Sequence, residues 1–325
     1  MTDLLKNPIF KDEGKAREWL EARVWPEGPT CPHCGNADKD KITKLEGDAH
    51  RPGLYQCNEV ECREQFTVTV KTVFERSKIP LTKWLAALFL MTASKKGVSA
   101  HQVHRMLGVS YKSTWFMMHR LREAMRTGGL EPLGGRGKVV EADETYFGKA
   151  ETMHVSKTRR GRPYTKKGHF MNNRPILALV ERGGSVRSFH IAVADQATVC
   201  GIVRENVAQE SHLHTDKSKL YVRGLMDVRR HKRVKHTAGE YVRGDVTTNT
   251  VESYFSIFKR GMRGTYQHCA EKHLHRYLAE FDFRHNTRIA LGVNDGSRAE
   301  TLAAGIVGKR LTYRRPHGKR SIEAH

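Results

Sequence analysis

Two cysteine pairs near the start of the chain restrict its fold more than any other feature. "CPHCG" supplies Cys31 and Cys34, and "YQCNEVECREQF" supplies Cys57 and Cys62. A pair two residues apart grips one metal ion through a tight knuckle, with Pro32 and Gly35 shaping the turn. A second pair completes a tetrahedral thiolate site, the geometry of structural zinc. Strand-like runs lie at Ile42–Leu45, Leu54–Gln56 and Phe66–Val70, so the segment reads as a zinc ribbon bound to Zn²⁺. The second pair is spaced C-x4-C, wider than the usual two-residue gap. His33 and His50 are alternative ligands, whereas Cys200 and Cys269 read as ordinary core or surface thiols.

Charge narrows the partner. Against 35 Asp and Glu stand 57 Lys and Arg, a formal net charge of +22 over 325 residues. Such an excess favours a polyanion. No stretch approaches the ~18 apolar residues of a membrane span. The first twenty residues lack the apolar core of a signal peptide, so a cytoplasmic location with reduced cysteines is expected.

Residues 80–126 change character. "LTKWLAALFLMTA" places Trp84, Leu85, Leu88 and Met91 in a helical stripe. "VSAHQVHRMLGVSYKSTWFMMHRLREAM" then reads as two short helices capped by Ser99 and Ser110, with Gly108 in the turn. This is a helix-turn-helix pattern. Its second helix offers Lys112, Ser113, Thr114, Arg120 and Arg122 to phosphates and base edges, while Trp115, Met118 and Leu121 read as core. A plain helical hairpin used for dimerisation is the competing interpretation.

After the linker "GGRGK", "VVEADETYFGK" reads as a strand carrying Asp143. Two β-rich runs flank Gly183-Gly184, a hairpin signal. "ATVCGIVRENVA" is a helix, and "SHLHTD" a fourth strand ending at Asp216. Three antiparallel strands, a helix and a further strand form the order of an RNase H-like α/β domain. In that fold the first and fourth strands are neighbours, which would bring Asp143 and Asp216 together. "TTNTVESYFSIFKRGMRG" supplies a later helix with Val251, Tyr254, Phe255 and Phe258 on its apolar face. Glu252 and Lys259, seven residues apart, share the other face at roughly 10 Å along the axis. With Asn249 as N-cap, Glu252 would instead occupy a capping-box position, and both roles can coexist. "HLHRYLAEFDFRHN" is expected to be a core helix.

The set Asp143, Asp216, Glu252 and Lys259 resembles the DDE-K signature of bacterial insertion-sequence transposases, with 35 residues between Asp216 and Glu252. The words "ADETYFGK", "TDKSKLY", "NTVESYFSIFKRGMRGTYQH" and "YLAEFDFRHNTR" resemble the subgroup with an N-terminal zinc ribbon. The similarity runs from about Pro26 to Arg288. "GDVTTN" departs from relatives that carry a histidine before the Thr-Asn, which leaves Asp245 and Asn249 as rivals for the third site residue.

The resemblance implies a multidomain enzyme. Its parts are an N-terminal helix (1–25), a zinc ribbon (26–76), a helix-turn-helix DNA-binding domain (80–126), an RNase H-like catalytic domain (134–290) and a basic tail (291–325). It implies two Mg²⁺ ions, for which Mn²⁺ substitutes, held by Asp143, Asp216 and Glu252. Lys259 would place a DNA phosphate, with Glu141 and Glu144 as support or surface. Double-stranded DNA, as terminal inverted repeats and target, is the implied partner, engaged by at least a dimer. Two basic stretches, 156–170 and 308–320, are expected as a mobile loop and a disordered tail along the DNA path. A DNA-binding regulator without catalysis and an RNase H-type nuclease are the rival functions.

Overall fold

The computed structural model describes residues 6–151, 155–159, 162–165, 173–225, 230–234 and 242–312. The chain forms two compact units. One comprises Met1–Met91, Ala100–Met125 and Ala299–His325, the other Thr92–Ser99 and Arg126–Arg298.

The first unit begins with helix α1 (Glu13–Val24), capped by Asp12, whose carboxylate accepts from the Lys15 amide at 2.9 Å. Strands β1 (Ile42–Leu45), β2 (Leu54–Cys57) and β3 (Gln65–Phe66) form an antiparallel sheet in that order. The third strand is shorter than the run Phe66–Val70 suggested. Thr67 begins a turn, closed by the Val70 amide donating to its carbonyl at 3.0 Å, so the apolar alternation there follows no ladder. Helix α2 (Leu81–Ala93) buries Trp84, Leu85, Leu88 and Met91, the expected stripe. Its first turn is closed by a distant side chain. Glu13 accepts from the amides of Leu81 and Thr82 at 3.0 and 2.9 Å.

Helix α3 (Ala100–Leu107) and helix α4 (Tyr111–Met125) are the two expected helices. Gly108 takes φ +61° in the turn, a conformation that favours glycine. The Ser110 hydroxyl accepts from the Ser113 amide at 3.3 Å, capping α4. Lys112 and Ser113 are exposed at its start, but Thr114, Arg120 and Arg122 are buried. These three cannot serve as DNA contacts in this packing. The Arg120 guanidinium donates to the Glu75 carbonyl at 2.6 Å and lies over the rings of Trp84 and Phe116. Burial pushes it down to about 10. The sequence marks cations on α4 but not which way the helix turns them.

The second unit is built on the long strand β4 (Val139–Lys149). Residues of the first basic stretch form β5 (Val155–Arg159) and β6 (Arg162–Thr165), an antiparallel pair rather than a loop throughout. The rest of that stretch, at 160–161 and 166–170, lies outside the described residues, as do 313–320 of the second stretch. Strands β7 (Asn173–Glu181) and β8 (Val186–His190) follow, joined through Gly183 at φ +71°. Helix α5 (Gln196–Asn206), strand β9 (His212–Asp216), helix α6 (Lys219–Gly224) and strand β10 (His231–Val234) complete the sheet region. The sheet order is β10-β9-β4-β7-β8. β4, β7 and β8 run antiparallel in sequence, while β9 lies parallel to β4 and β10 parallel to β9. The expected neighbourhood of first and fourth strands is therefore present.

A small hairpin, β11 (Val242–Arg243) and β12 (Val246–Thr247), leads into helix α7 (Asn249–Gly261). Helices α8 (Leu274–Asn286) and α9 (Asp295–Ala304) follow. Two cores sandwich the sheet. Val140, Ala142, Leu177 and Leu179 face α5 and α6, while Ile176, Ala178 and Val180 face α7 and α8. The strand period of two separates these sets. α8 buries Leu274, Tyr277, Leu278 and Phe281 as its spacing predicts. Its Asp282, pushed up to about 7 by burial, accepts from Tyr254 Oη at 2.5 Å and Ser188 Oγ at 2.7 Å. That bond set ties α8 to α7 and β8. None of the described helices is long and apolar enough to cross a membrane.

Arg120→Ala should lower the unfolding free energy by about 1–3 kcal/mol, because the Glu75 carbonyl loses its donor and the aromatic pocket its filling. Denaturant titration measures this. An unchanged midpoint accompanied by weakened DNA binding would return Arg120 to the surface.

Candidate zinc centre and carboxylate cleft

In the ribbon, all four cysteine sulfurs lie within 4.8 Å of one another. Cys31 Sγ is 3.7 Å from Cys62 Sγ, and Cys34 Sγ is 3.7 Å from Cys57 Sγ. A zinc ion with Zn–S bonds near 2.3 Å requires tetrahedron edges of about 3.8 Å. The sulfurs therefore stand at the spacing that one Zn²⁺ needs, and His33 and His50 are not among them. The first knuckle closes through the Gly35 amide donating to the Cys31 carbonyl at 2.8 Å. The wider second knuckle is braced by Glu59, which accepts from Lys41 Nζ at 2.8 Å and Asn36 Nδ2 at 3.2 Å. Arg63, directly after Cys62, takes φ +52°, as Gly35 after Cys34 takes φ +81°. Cys200 is buried in the α5 core and Cys269 is half-buried.

The carboxylates of the second unit converge from three elements. Along β4, Glu141, Asp143 and Thr145 project toward α7, and Glu144 projects to the opposite face. Parallel pairing sets Ala142 beside Thr215, so Asp216, the next residue on β9, ends its strand next to Asp143. Asp143 Oδ1 accepts from the Glu144 amide at 2.9 Å, and Asp216 Oδ1 from the Ser218 amide at 2.9 Å. The bonds orient Asp143 within β4 and Asp216 at the end of β9.

Glu252 arrives on α7, whose N-cap is Thr248 rather than Asn249. The capping-box geometry is therefore absent. Instead the Thr248 hydroxyl donates to Glu252 Oε1 at 2.9 Å. A cleft of about 570 Å³ is lined by Asp143, Thr145, Glu252 and Lys259, with Phe255, Ser256, Arg260 and Arg263 completing it. Asp216 is not among the lining residues; its charge acts on Asp143. Asp245 is exposed in the β11–β12 turn, 3.3 Å from Lys232 Nζ, and neither it nor Asn249 lines the cleft.

Burial holds the Asp143 carboxyl well above the usual range, and the negative charges of Glu144, Asp216 and Glu252 push it further. Lys259 is pushed down by burial and by the neighbouring Arg263. Sequence reading did not find the Glu144–Tyr221 pair. The buried Tyr221 hydroxyl donates to Glu144 Oε2 at 2.5 Å, and burial raises that carboxyl. Nor did it find Arg260 and Arg263, which line the cleft with Lys259.

Residues 132–286 match the ISXO2-like transposase domain, and residues 11–65 match a transposase zinc-ribbon domain. Both matched segments are thus similar to parts of insertion-sequence transposases. A protein of Halobacterium salinarum, described as an uncharacterized protein in transposable element ISH50, is 27 % identical to it over 283 residues. That similarity covers 85 % of this chain and 91 % of the relative. All four clustered cysteines fall inside the zinc-ribbon match. Asp143, Asp216, Glu252 and Lys259 all fall inside the transposase-domain match.

The purified protein should carry about one zinc per chain, since a single four-sulfur cluster fits one ion. Cys31→Ser or Cys57→Ser should lose that zinc and unfold the ribbon, measured by elemental analysis and by circular dichroism. Full zinc content in both variants would remove these cysteines as ligands.

Proposed function

We propose that this protein is a DDE transposase with an RNase H-like catalytic domain, which cuts the ends of its insertion sequence and joins them to target DNA. The observation that carries the reading is the convergence of β4, β9 and α7. Asp143 and Glu252 line one cleft with Lys259, and Asp216 ends the strand beside Asp143. The order β10-β9-β4-β7-β8, with its mixed directions, supports the fold assignment.

Carboxylates brought together from three elements form a donor set suited to a divalent ion with oxygen ligands. Asp143, Asp216 and Glu252 would hold Mg²⁺, with Mn²⁺ able to substitute. A pair of such ions supplies charge stabilisation to the attacking and leaving oxygens of an in-line displacement. Lys259, with Arg260 and Arg263 beside it, places the DNA phosphate. Cleavage by water leaves a 3′-OH at the transposon end, and that hydroxyl then attacks a target phosphodiester in the same cleft.

The segments 26–76 and 80–126 serve as end-recognition modules, the second as a helix-turn-helix reading duplex DNA from the exposed start of α4. The protein acts as at least a dimer, so that two ends are held together. The net charge of +22 supports a DNA partner.

Asp143→Asn, Asp216→Asn and Glu252→Gln should each abolish strand cleavage of a terminal-repeat duplex while leaving its binding near normal. Each change removes a charge and keeps the shape. Normal cutting by Glu252→Gln, together with a dead Asp245→Asn, would move the third carboxylate to Asp245.

Lys112→Ala should relax the preference for the terminal repeat over a scrambled duplex. A base contact is worth about 1–3 kcal/mol at its own base pair, whereas a phosphate contact weakens both duplexes alike. Binding titrations at several salt concentrations separate the two cases. If neither duplex is affected, α3 and α4 are not the reading element.

A further inference from the structure

Glu141 lies outside the cleft, yet it is completely buried two residues before Asp143. Among the described residues its hydrogen bonds run to Arg182 and to the first turn of α7. Oε1 accepts from Arg182 Nε at 2.6 Å and from the Thr250 hydroxyl at 3.0 Å. Oε2 accepts from the Thr250 amide at 2.8 Å and the Val251 amide at 3.1 Å. We propose that Glu141, clamped by Arg182, is a positioning residue that sets α7, and with it Glu252, against Asp143. The proposal rests on reading Asp143 and Glu252 as catalytic residues.

The first-turn amides of a helix need acceptors from outside the helix. The N-cap Thr248 makes no side-chain cap bond, its hydroxyl being directed to Glu252, and the Thr247 hydroxyl accepts only from the Asn249 amide, at 3.0 Å. The acceptor for the next two amides, of Thr250 and Val251, is a strand residue 109 positions before Thr250 in the chain. A carboxylate at a helix N-terminus is also favoured by the helix dipole. One charged group therefore sets the height and rotation of α7 over β4, and Glu252 directly follows the last amide it holds.

Arg182 extends the clamp. It donates to the carbonyls of Asp245 at 2.8 Å and Thr247 at 3.1 Å, on the segment entering α7. Its Nη2 is 3.3 Å from His214 Nδ1 on β9. Arginine has no acceptor, so His214 Nδ1 accepts and its proton sits on Nε2. His214 is two residues before Asp216. The Glu141–Arg182 pair thus joins β4, the end of β7, β9 and the approach to α7. It touches each element that delivers a cleft carboxylate without touching the cleft.

The test compares Glu141→Gln with the parent protein and with Glu252→Gln, using two readouts. The first is hydrogen exchange of metal-free protein. Loss of the carboxylate charge should speed exchange of the Thr250 and Val251 amides on the order of tenfold, with the β4–β7 ladder unchanged. The second is the Mg²⁺ concentration for half-maximal cleavage. Outer partners of metal-binding groups typically change metal affinity 10–100-fold, so the midpoint should rise roughly tenfold. A merely structural role would lower the cleavage amplitude equally at every Mg²⁺ concentration. If Glu141→Gln does not fold, Thr250→Val removes a single donor to Glu141 and should shift both readouts in the same direction by less. Unchanged exchange and an unchanged midpoint, with Glu252→Gln inactive, overturn the proposal. Normal cleavage by Glu252→Gln overturns the catalytic reading instead, while the exchange result still decides whether Glu141 holds α7.

Discussion

The parallel pairing of β4 with β9 is the constraint on which the second unit depends. It sets Ala142 beside Thr215, so the next residue on each strand is an aspartate. Because side chains alternate along a strand, this register also fixes which face each residue serves. A slip by one residue would turn Asp143 into the α5 core and expose Val140 and Ala142 toward α7. The cores on the two faces exclude that slip, since Val140, Ala142, Leu177 and Leu179 are fully buried on one side. The site is thus placed by apolar packing that does not itself touch the cleft.

Both units solve the same problem at a helix N-terminus in the same way. α2 receives the Glu13 carboxylate from α1, and α7 receives the Glu141 carboxylate from β4. A local Ser or Asp cap stabilises a helix but leaves its position relative to other elements open. A cap supplied from far along the chain satisfies the same amides and also fixes the docking. For a cleft assembled from carboxylates on separate elements, that second effect sets the geometry.

Charge is distributed between two uses. Some cations of this basic chain are exposed, as Lys112 is on α4. Others are spent inside. Arg120 lies against Trp84 and Phe116, Arg182 joins four segments, and Arg284 pairs with the buried Glu280. Net charge therefore argues for a polyanionic partner without identifying which arginines meet it. Arginine suits both uses, because its flat guanidinium packs on rings and fills several acceptors at once.

The sequence by itself determined the features that depend on local spacing. The cysteine pairs marked a metal cluster, Gly183-Gly184 the hairpin, and the stripe of α7 put Glu252 and Lys259 on its non-apolar face. The order of strands and helix was enough to expect Asp143 beside Asp216. What only the tertiary structure decided were properties of orientation and of long-range contact. Thr114, Arg120 and Arg122 look like a polar face of α4 until packing buries them. The apolar run after Phe66 looks like a strand until no partner strand is there. Strand alternation alone puts Glu141 on the face of Asp143 and Glu144 on the other, but it does not tell that one caps α7 and the other meets Tyr221. Short-range periodicity records which side of an element is apolar. Which distant donor a buried carboxylate meets is set by how elements pack in three dimensions.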